Sequence, residues 1–184
     1  VEEEKNREKS AKYRVRERTF NSGDLKSALY DEFDGEKTAK SKKQFVNDLL
    51  KKHRDKPLSE ADVLPDFTDF RIVYREIARS SDERTMIATV LPKGIPCYHK
   101  LHTIRPYAIN PEKDDLSDEK LHNVYERRFE GEELFVLLGL LNSLPFDFLM
   151  RTKIDSSVVM YKFNESQVPR LTDGDDWFDY ISTR

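Results

Sequence analysis

The chain has 184 residues, 37% of them hydrophobic and 36% charged, which suits one domain with an appendage or two small ones. Eleven Phe, eight Tyr and one Trp supply the apolar area for a core. Thirty-two Lys and Arg against 35 Asp and Glu exclude a polybasic tail-type binder, and the single Cys97 excludes a disulfide framework. No apolar run approaches the roughly 18–20 residues of a membrane span, so a cytoplasmic protein with no membrane partner is expected. The first residue is Val1 rather than Met, and no signal segment precedes the body, which reads as a piece of a longer protein.

Charge is uneven along the chain. Residues 1–56 hold 16 basic and 12 acidic side chains, 57–105 hold seven of each, and 106–184 hold nine against sixteen. A basic leading third can follow a phosphate backbone, or it can be a solvated helical face. Residues 1–56 are expected to form a charged helical lead-in, and 57–184 an α+β domain. Val1 to Arg18 has few apolar anchors (Tyr13, Val15). Ser22 opens a second helix whose Leu25, Ala28, Leu29 and Phe33 share a stripe, ended by Asp34-Gly35. Phe45, Val46, Leu49 and Leu50 make the next stripe, with Lys42, Lys43, Lys51, Lys52 and Arg54 largely off it. Both helices are amphipathic and need another surface to dock on.

After Lys56-Pro57 the pattern changes to period two. Residues 70–78 read as a strand, with Phe70, Ile72 and Tyr74 on one face and Arg71, Val73, Arg75 and Ile77 on the other. Residues 79–84 are a polar turn, and Thr85 to Leu91 return as a second strand stopped by Pro92. An antiparallel hairpin over about 70–91 is expected. Ile95 to Ile104 follow as an irregular or edge strand. Ser117 is expected to cap a helix through Leu121, Val124, Tyr125 and Phe129. Glu132 to Ser143 read as a buried helix with two acids at its positive end. Leu144 to Arg151 begin another helix with Pro145 in its first turn, Ser157 to Phe163 form a late strand, and an acidic tail surrounds Trp177-Phe178. The expected fold is α+β: a mixed or antiparallel sheet packed on a buried helix at about 132–143, preceded by amphipathic helices.

Catalytic constellations are missing. There is no G-x-x-x-x-G-K-[ST] loop and no G-x-G-x-x-G. Cys97, His99 and His102 lie on one extended stretch and do not converge as metal ligands. Pro65-Asp66 followed by Glu76 looks like a nuclease's acidic pair, but Ala78 stands where a Lys is needed. Asn110-Pro111-Glu112 lacks the second Pro and the aromatic of an adenine methylase motif. No catalytic, cofactor-binding or metal residue is assigned. What remains is a set of donors on turns: Arg75, Arg79, Ser80, Ser81, Arg84, Lys93, His99, Lys100, His102 and Arg105, interleaved with Tyr74, Tyr98 and Tyr107. Such donors can meet phosphates or, bidentately, a guanine edge. Equally, Arg75 and Arg84 can pair internally with nearby carboxylates.

Several stretches match a known family. Tyr74-Arg75-Glu76-Ile77-Ala78-Arg79-Ser80-Ser81-Asp82-Glu83-Arg84-Thr85-Met86-Ile87-Ala88 resembles a hairpin in the C-terminal target-recognition region of large adenine-specific (N6) DNA methyltransferases of type II restriction–modification and related phage-defence systems. Leu91-Pro92, the segment Leu137 to Phe148 containing Leu141-Asn142-Ser143, Arg151, and Gln167-Val168-Pro169-Arg170-Leu171 are similar to further stretches of that region, in the same order. The resemblance covers about residues 67–171. It implies a DNA target-recognition domain at 57–184 that partners double-stranded DNA and a separate N-terminal methylase domain. S-adenosylmethionine would belong to that other domain, and this chain would hold no cofactor. An enzyme that flips its adenine out of the duplex needs a second surface to grip the surrounding DNA. The implied DNA-binding residues are Arg75, Arg79, Ser80, Ser81, Arg84, Lys93, His99, Lys100 and Arg105, with Arg151 and Lys153 from the 151–157 segment. Leu137, Leu138, Leu140 and Leu141 are expected as supporting core. Two other classes stand beside this one: a protein–protein docking module with no DNA contact, and an independent nuclease, which the missing acidic-Lys triad disfavours.

Overall fold

The computed structural model describes residues 22–34, 41–97 and 100–183. In chain order these form α1 (Ser22–Phe33), α2 (Lys42–Arg54), β1 (Arg71–Arg75), β2 (Ala88–Leu91), β3 (Leu101–Thr103), β4 (Tyr107–Ile109), β5 (Tyr125–Arg127), α3 (Glu133–Leu141), α4 (Leu144–Lys153), α5 (Met160–Asn164) and α6 (Asp176–Ser182). The fold is α+β, with a three-stranded sheet ordered β2-β1-β3 and a two-stranded β4-β5 sheet among the described residues. Of the expected lead-in at 1–56, residues 1–21 and 35–40, with Gly35 of the expected helix end, lie outside the described residues, as do Tyr98 and His99. The described residues form two compact units, one from those up to Pro65 with Tyr107–Glu126, the other from those of Asp66–Pro106 with those from Arg127 onward. The expected division after residue 56 thus lies within the first unit, and 107–126 join that unit as well.

The first unit is built on two i, i+4 pairs. Leu25 and Leu29 of α1 meet Val46 and Leu50 of α2, and Val63, Leu116, Leu121 and Val124 complete the core. A capping box fixes the start of α2: Gln44 N donates to Ser41 Oγ, and Ser41 N donates back to Gln44 Oε1, both at 3.4 Å. The helix ends at Asp55 in the left-handed region (φ 56°), whose N–H donates to Lys51 O. Arg54, read from sequence as one of several basic residues off the apolar stripe, is only 4% exposed at its side chain. Its two Nη atoms donate to Asp62 Oδ1 and Oδ2 at 2.7 and 2.8 Å, and they also reach the carbonyls of Pro57, Asp118 and Glu119. Burial pushes the Asp62 carboxyl up, but the Arg54 guanidinium and the Ser59 N–H and hydroxyl outweigh it and hold the group below its ordinary value.

In the second unit β1 is central. It pairs antiparallel with β2 (Arg71↔Leu91 to Tyr74↔Ala88) and with β3 (Val73↔Thr103 to Arg75↔Leu101), so the expected hairpin is present with shorter strands. Ile72 and Tyr74 face a core shared with Ala78, Met86, Ala88, Leu134, Leu141, Phe146, Met150, Ile154 and Val158. Phe70, assigned to the same face, precedes the strand and is half exposed under Lys93. Helices α3 and α4 meet at a 57° bend across Asn142-Ser143, where the Ser143 hydroxyl caps α4 by accepting from Phe146 N. No single described helix is long and apolar enough to cross a membrane, and only the bent α3–α4 pair reaches that length and composition. Both helices of the pair bury residues in this core.

Two expected elements take another form. The helix expected from Ser117 to Phe129 is replaced by a tight turn at Asp114–Ser117, further turns, and β5. There Asn110 N donates to Val124 O, and Tyr125 packs edge-on against Tyr107, so pairing with β4 fixes the extended form at 125–127. The late strand at 157–163 is extended only at its start, where Ser157 bridges Ile77 and Val158 N donates to Glu76 O. It then turns into α5. One helical turn brings Met160 Sδ to the Tyr74 hydroxyl and stacks Phe163 on the Tyr74 ring at 4.6 Å, contacts that a strand would direct to opposite faces.

Candidate nucleic-acid interface

The connection from Glu76 to Ile87 is polar, yet many of its carbonyls are engaged inside the protein. Two guanidiniums take four of them, and a third ties the turn to the α3–α4 junction. Arg75 donates to the carbonyls of Arg84 and Thr85, and its Nη2 lies 3.4 Å from Asp82 Oδ2. Arg151, from α4, donates to the carbonyls of Ser80 and Glu83. Arg84 donates to the carbonyl of Asn142, at the junction of α3 and α4. The Arg79 carbonyl accepts from Asp82 N and from the Thr85 hydroxyl.

Asp147 anchors this arrangement. Its side chain is 5% exposed, and Oδ1 accepts from Thr85 N (2.8 Å) and Met86 N (2.7 Å). Oδ2 accepts from Arg151 Nε and Nη2, both at 3.2 Å, while Arg84 Nε lies 3.4 Å from Oδ1. Burial would raise this carboxyl, but the two backbone N–H groups, Arg151 and the Arg84 charge prevail and keep it below the ordinary carboxylate value. A helix residue thereby reaches back to fix a turn that the sheet alone would leave loose.

The implied DNA-binding residues therefore fall into distinct settings. Arg75, Arg84 and Arg151 are partnered within the protein, as the internal reading of Arg75 and Arg84 anticipated, although their partners are Asp82, Asp147 and carbonyls rather than Glu76 or Glu83. Lys93 pairs with Asp69 at 3.0 Å and lies over the Phe70 ring; Lys100 pairs with Glu76 at 3.3 Å. Lys153 Nζ donates to Glu165 O at 2.9 Å, and Arg105 is half-buried. His99 lies outside the described residues. Arg79, Ser80 and Ser81 are exposed at the tip of the turn, and neither the Arg79 guanidinium nor the two hydroxyls have a partner among the described residues. Two of the three interleaved tyrosines have other roles: Tyr74 is 1% exposed in the core, and Tyr107 packs on Tyr125; Tyr98 lies outside the described residues.

Asp147 and Asn142 went unassigned to the turn in the sequence reading, and each left a trace there. Asp147 is the lone acid in the apolar run Leu144 to Met150, four residues before Arg151. Asn142, read as a helix terminator, also turns its side-chain amide to the Ala88 backbone. Comparison of the chain with protein-family models, with curated proteins and with solved structures finds no match.

Proposed function

We propose that this chain is a recognition module for double-stranded DNA, of the kind that serves site-specific N6-adenine methyltransferases in restriction–modification and phage defence. The observation that carries the reading is the Arg79-Ser80-Ser81 turn: an exposed cationic tip on a base fixed by Arg75, Arg84, Arg151 and Asp147. A tip that is already ordered loses little conformational freedom on meeting a duplex, which favours binding. The module would grip DNA while a separate methylase domain, holding S-adenosylmethionine, carries out the transfer in the cytoplasm. No residue of this chain is given a catalytic role.

A second reading has its own support. Leu144 and Phe148 are one turn apart on α4 and are 71% and 70% exposed, as expected of a surface that docks another protein. In the first reading that protein is the methylase domain; in the second, docking is the whole function. Fluorescence anisotropy with a randomised duplex pool at about 50 and about 200 mM salt separates them. Binding that weakens steeply with salt supports DNA recognition. No binding at the lower salt, with salt-insensitive capture of a methylase domain, supports docking alone.

A further inference from the structure

The turn between β1 and β2 is asymmetric in its hydrogen-bonding groups. Its carbonyls at Arg79, Ser80, Glu83, Arg84 and Thr85 are all engaged inside the protein. So are the N–H groups of Arg79, Asp82, Thr85 and Met86. The N–H groups of Ser80, Ser81, Glu83 and Arg84, the hydroxyls of both serines and the Arg79 guanidinium have no partner among the described residues. The acceptors left available are the carbonyls of Ser81 and Asp82, the serine hydroxyl oxygens and the Glu83 carboxylate, so among the available polar groups donors outnumber acceptors. The Asp82 carboxylate is occupied by Arg79 N at 3.1 Å and by Arg75, which leaves Glu83 as the exposed carboxylate on the turn.

We infer that this turn grips phosphate groups of the DNA backbone and does not read base edges, an inference that rests on the DNA-recognition reading above. Phosphate oxygens are acceptors only, and backbone N–H groups, Ser hydroxyls and Arg are their usual partners. The amino groups of adenine and cytosine need acceptors, which this surface holds in smaller number than donors, so on donors alone only a guanine edge competes with the phosphates for Arg79. Arg75 and Arg151 hold the turn's carbonyls inward and Arg84 ties the turn to Asn142 O, so all three are positioning residues, and Arg79 is the side chain that meets the phosphate. Sequence discrimination then belongs to other surfaces.

The test uses the full chain, a panel of duplexes of unrelated sequence, and two variants, Arg79→Ala and Glu83→Gln, whose side chains have no internal partner to lose. Unchanged circular dichroism and urea midpoints establish that both are folded. Anisotropy across about 50–200 mM salt is expected to show Arg79→Ala weakening every duplex by the same factor and reducing the slope of log K against log salt by about 0.9. Glu83→Gln is expected to strengthen every duplex. Weakening by Arg79→Ala that differs from duplex to duplex would overturn the inference in favour of a base contact. Wild-type binding that neither variant alters would overturn the phosphate grip alone. A wild-type chain that binds no duplex at the lower salt would overturn the recognition reading and the grip with it.

Discussion

The side-chain amide of Asn142 pairs with both backbone groups of Ala88: Ala88 N donates to Oδ1 and Nδ2 donates to Ala88 O, each at 3.0 Å. Asn142 follows α3, and Ala88 opens β2, the edge of the three-stranded sheet. One side chain thus stands in for a neighbouring strand at that point. It closes part of an edge that would otherwise be open to pairing with another chain. Because Ala88 is buried, its backbone groups would find no water in place of the amide.

Asn142→Ala is therefore expected to destabilise the second unit by about 1–3 kcal/mol, the cost of buried backbone groups left without partners. Asn142→Asp is expected to be at least as damaging, because a carboxylate accepts from Ala88 N but has no donor for Ala88 O. Urea unfolding followed by tyrosine and tryptophan fluorescence measures both. A loss confined to the first unit, or none, would remove this role from Asn142.

Removing the Asp147 carboxylate strands two backbone N–H groups and leaves Arg84 and Arg151 without their counter-ion. Asp147→Ala is expected to cost about 1–3 kcal/mol for each stranded N–H group, with a smaller loss from the two guanidiniums, which are about a third exposed. The effect should reach the 79–84 turn selectively. Amide exchange is expected to speed up at Thr85 and Met86 beyond the change at Ile72, which lies in the central strand.

Acid is expected to destabilise the protein through the same carboxylate and two others. The folded-state pKa values of Asp147, Asp62 and Asp69 are all lowered; for Asp69, Lys93, the Phe70 N–H and Arg127 outweigh the effect of burial. A lowered carboxylate contributes stability that is full above its unfolded value, near 3.8, and is lost as pH falls through the folded value. Asp66 acts in the opposite sense, because burial raises it against the pull of Arg71 and Arg128, so protonating it on acidification is favourable. Three groups against one give a net loss below about pH 4. Thermal midpoints measured from neutral pH to pH 3 check this, and Asp147→Asn is expected to flatten the acid limb.

How much of this was legible depends on the distance over which each element is decided. The β1–β2 hairpin and α4 are written in local spacing: alternation at Ile72 and Tyr74, and the i, i+4 pair Phe146 and Met150 behind Ser143 and Pro145. The segments that took another form are settled by remote partners. Tyr125 is extended because β4 is beside it, and Phe163 is helical because Tyr74, far back in the chain, offers a ring to stack on. The candidate site follows the same rule. Its cationic residues were identifiable by type, but which of them hold the turn and which remain available depends on Arg84–Asn142 and Arg151–Ser80 contacts, 58 and 71 residues apart. Local periodicity carries no information at that range.

The buried pair in the first unit gives a sharper expectation than its charge suggests. Arg54 and Asp62 are bonded bidentately at side-chain exposures of 4% and 1%. Asp62→Ala or Arg54→Ala is expected to cost about 3–5 kcal/mol, since each leaves an isolated buried charge. The double variant Arg54→Met with Asp62→Leu should recover part of that loss, because both charges vanish together while the carbonyls that Arg54 serves and the Ser59 N–H still lose their partner. A double-mutant cycle with no coupling would exclude this account.

Within α4, Phe146 and Phe148 stand two residues apart and point to opposite environments, at 6% and 70% exposure. Phe146 packs edge-on against Phe163 at a centroid distance of 6.2 Å and belongs to the core that supports the sheet. Phe146→Ala is expected to lose about 3–5 kcal/mol through lost burial and the cavity left behind. Phe148→Ala should stay within about 0.5 kcal/mol, because the ring is already in water in the isolated chain. Unfolding midpoints of the two variants make the comparison on one helix under one set of conditions. If Phe148→Ala leaves stability and DNA affinity unchanged but weakens capture of a methylase domain, the ring belongs to the docking surface and the turn at 79–84 to the DNA.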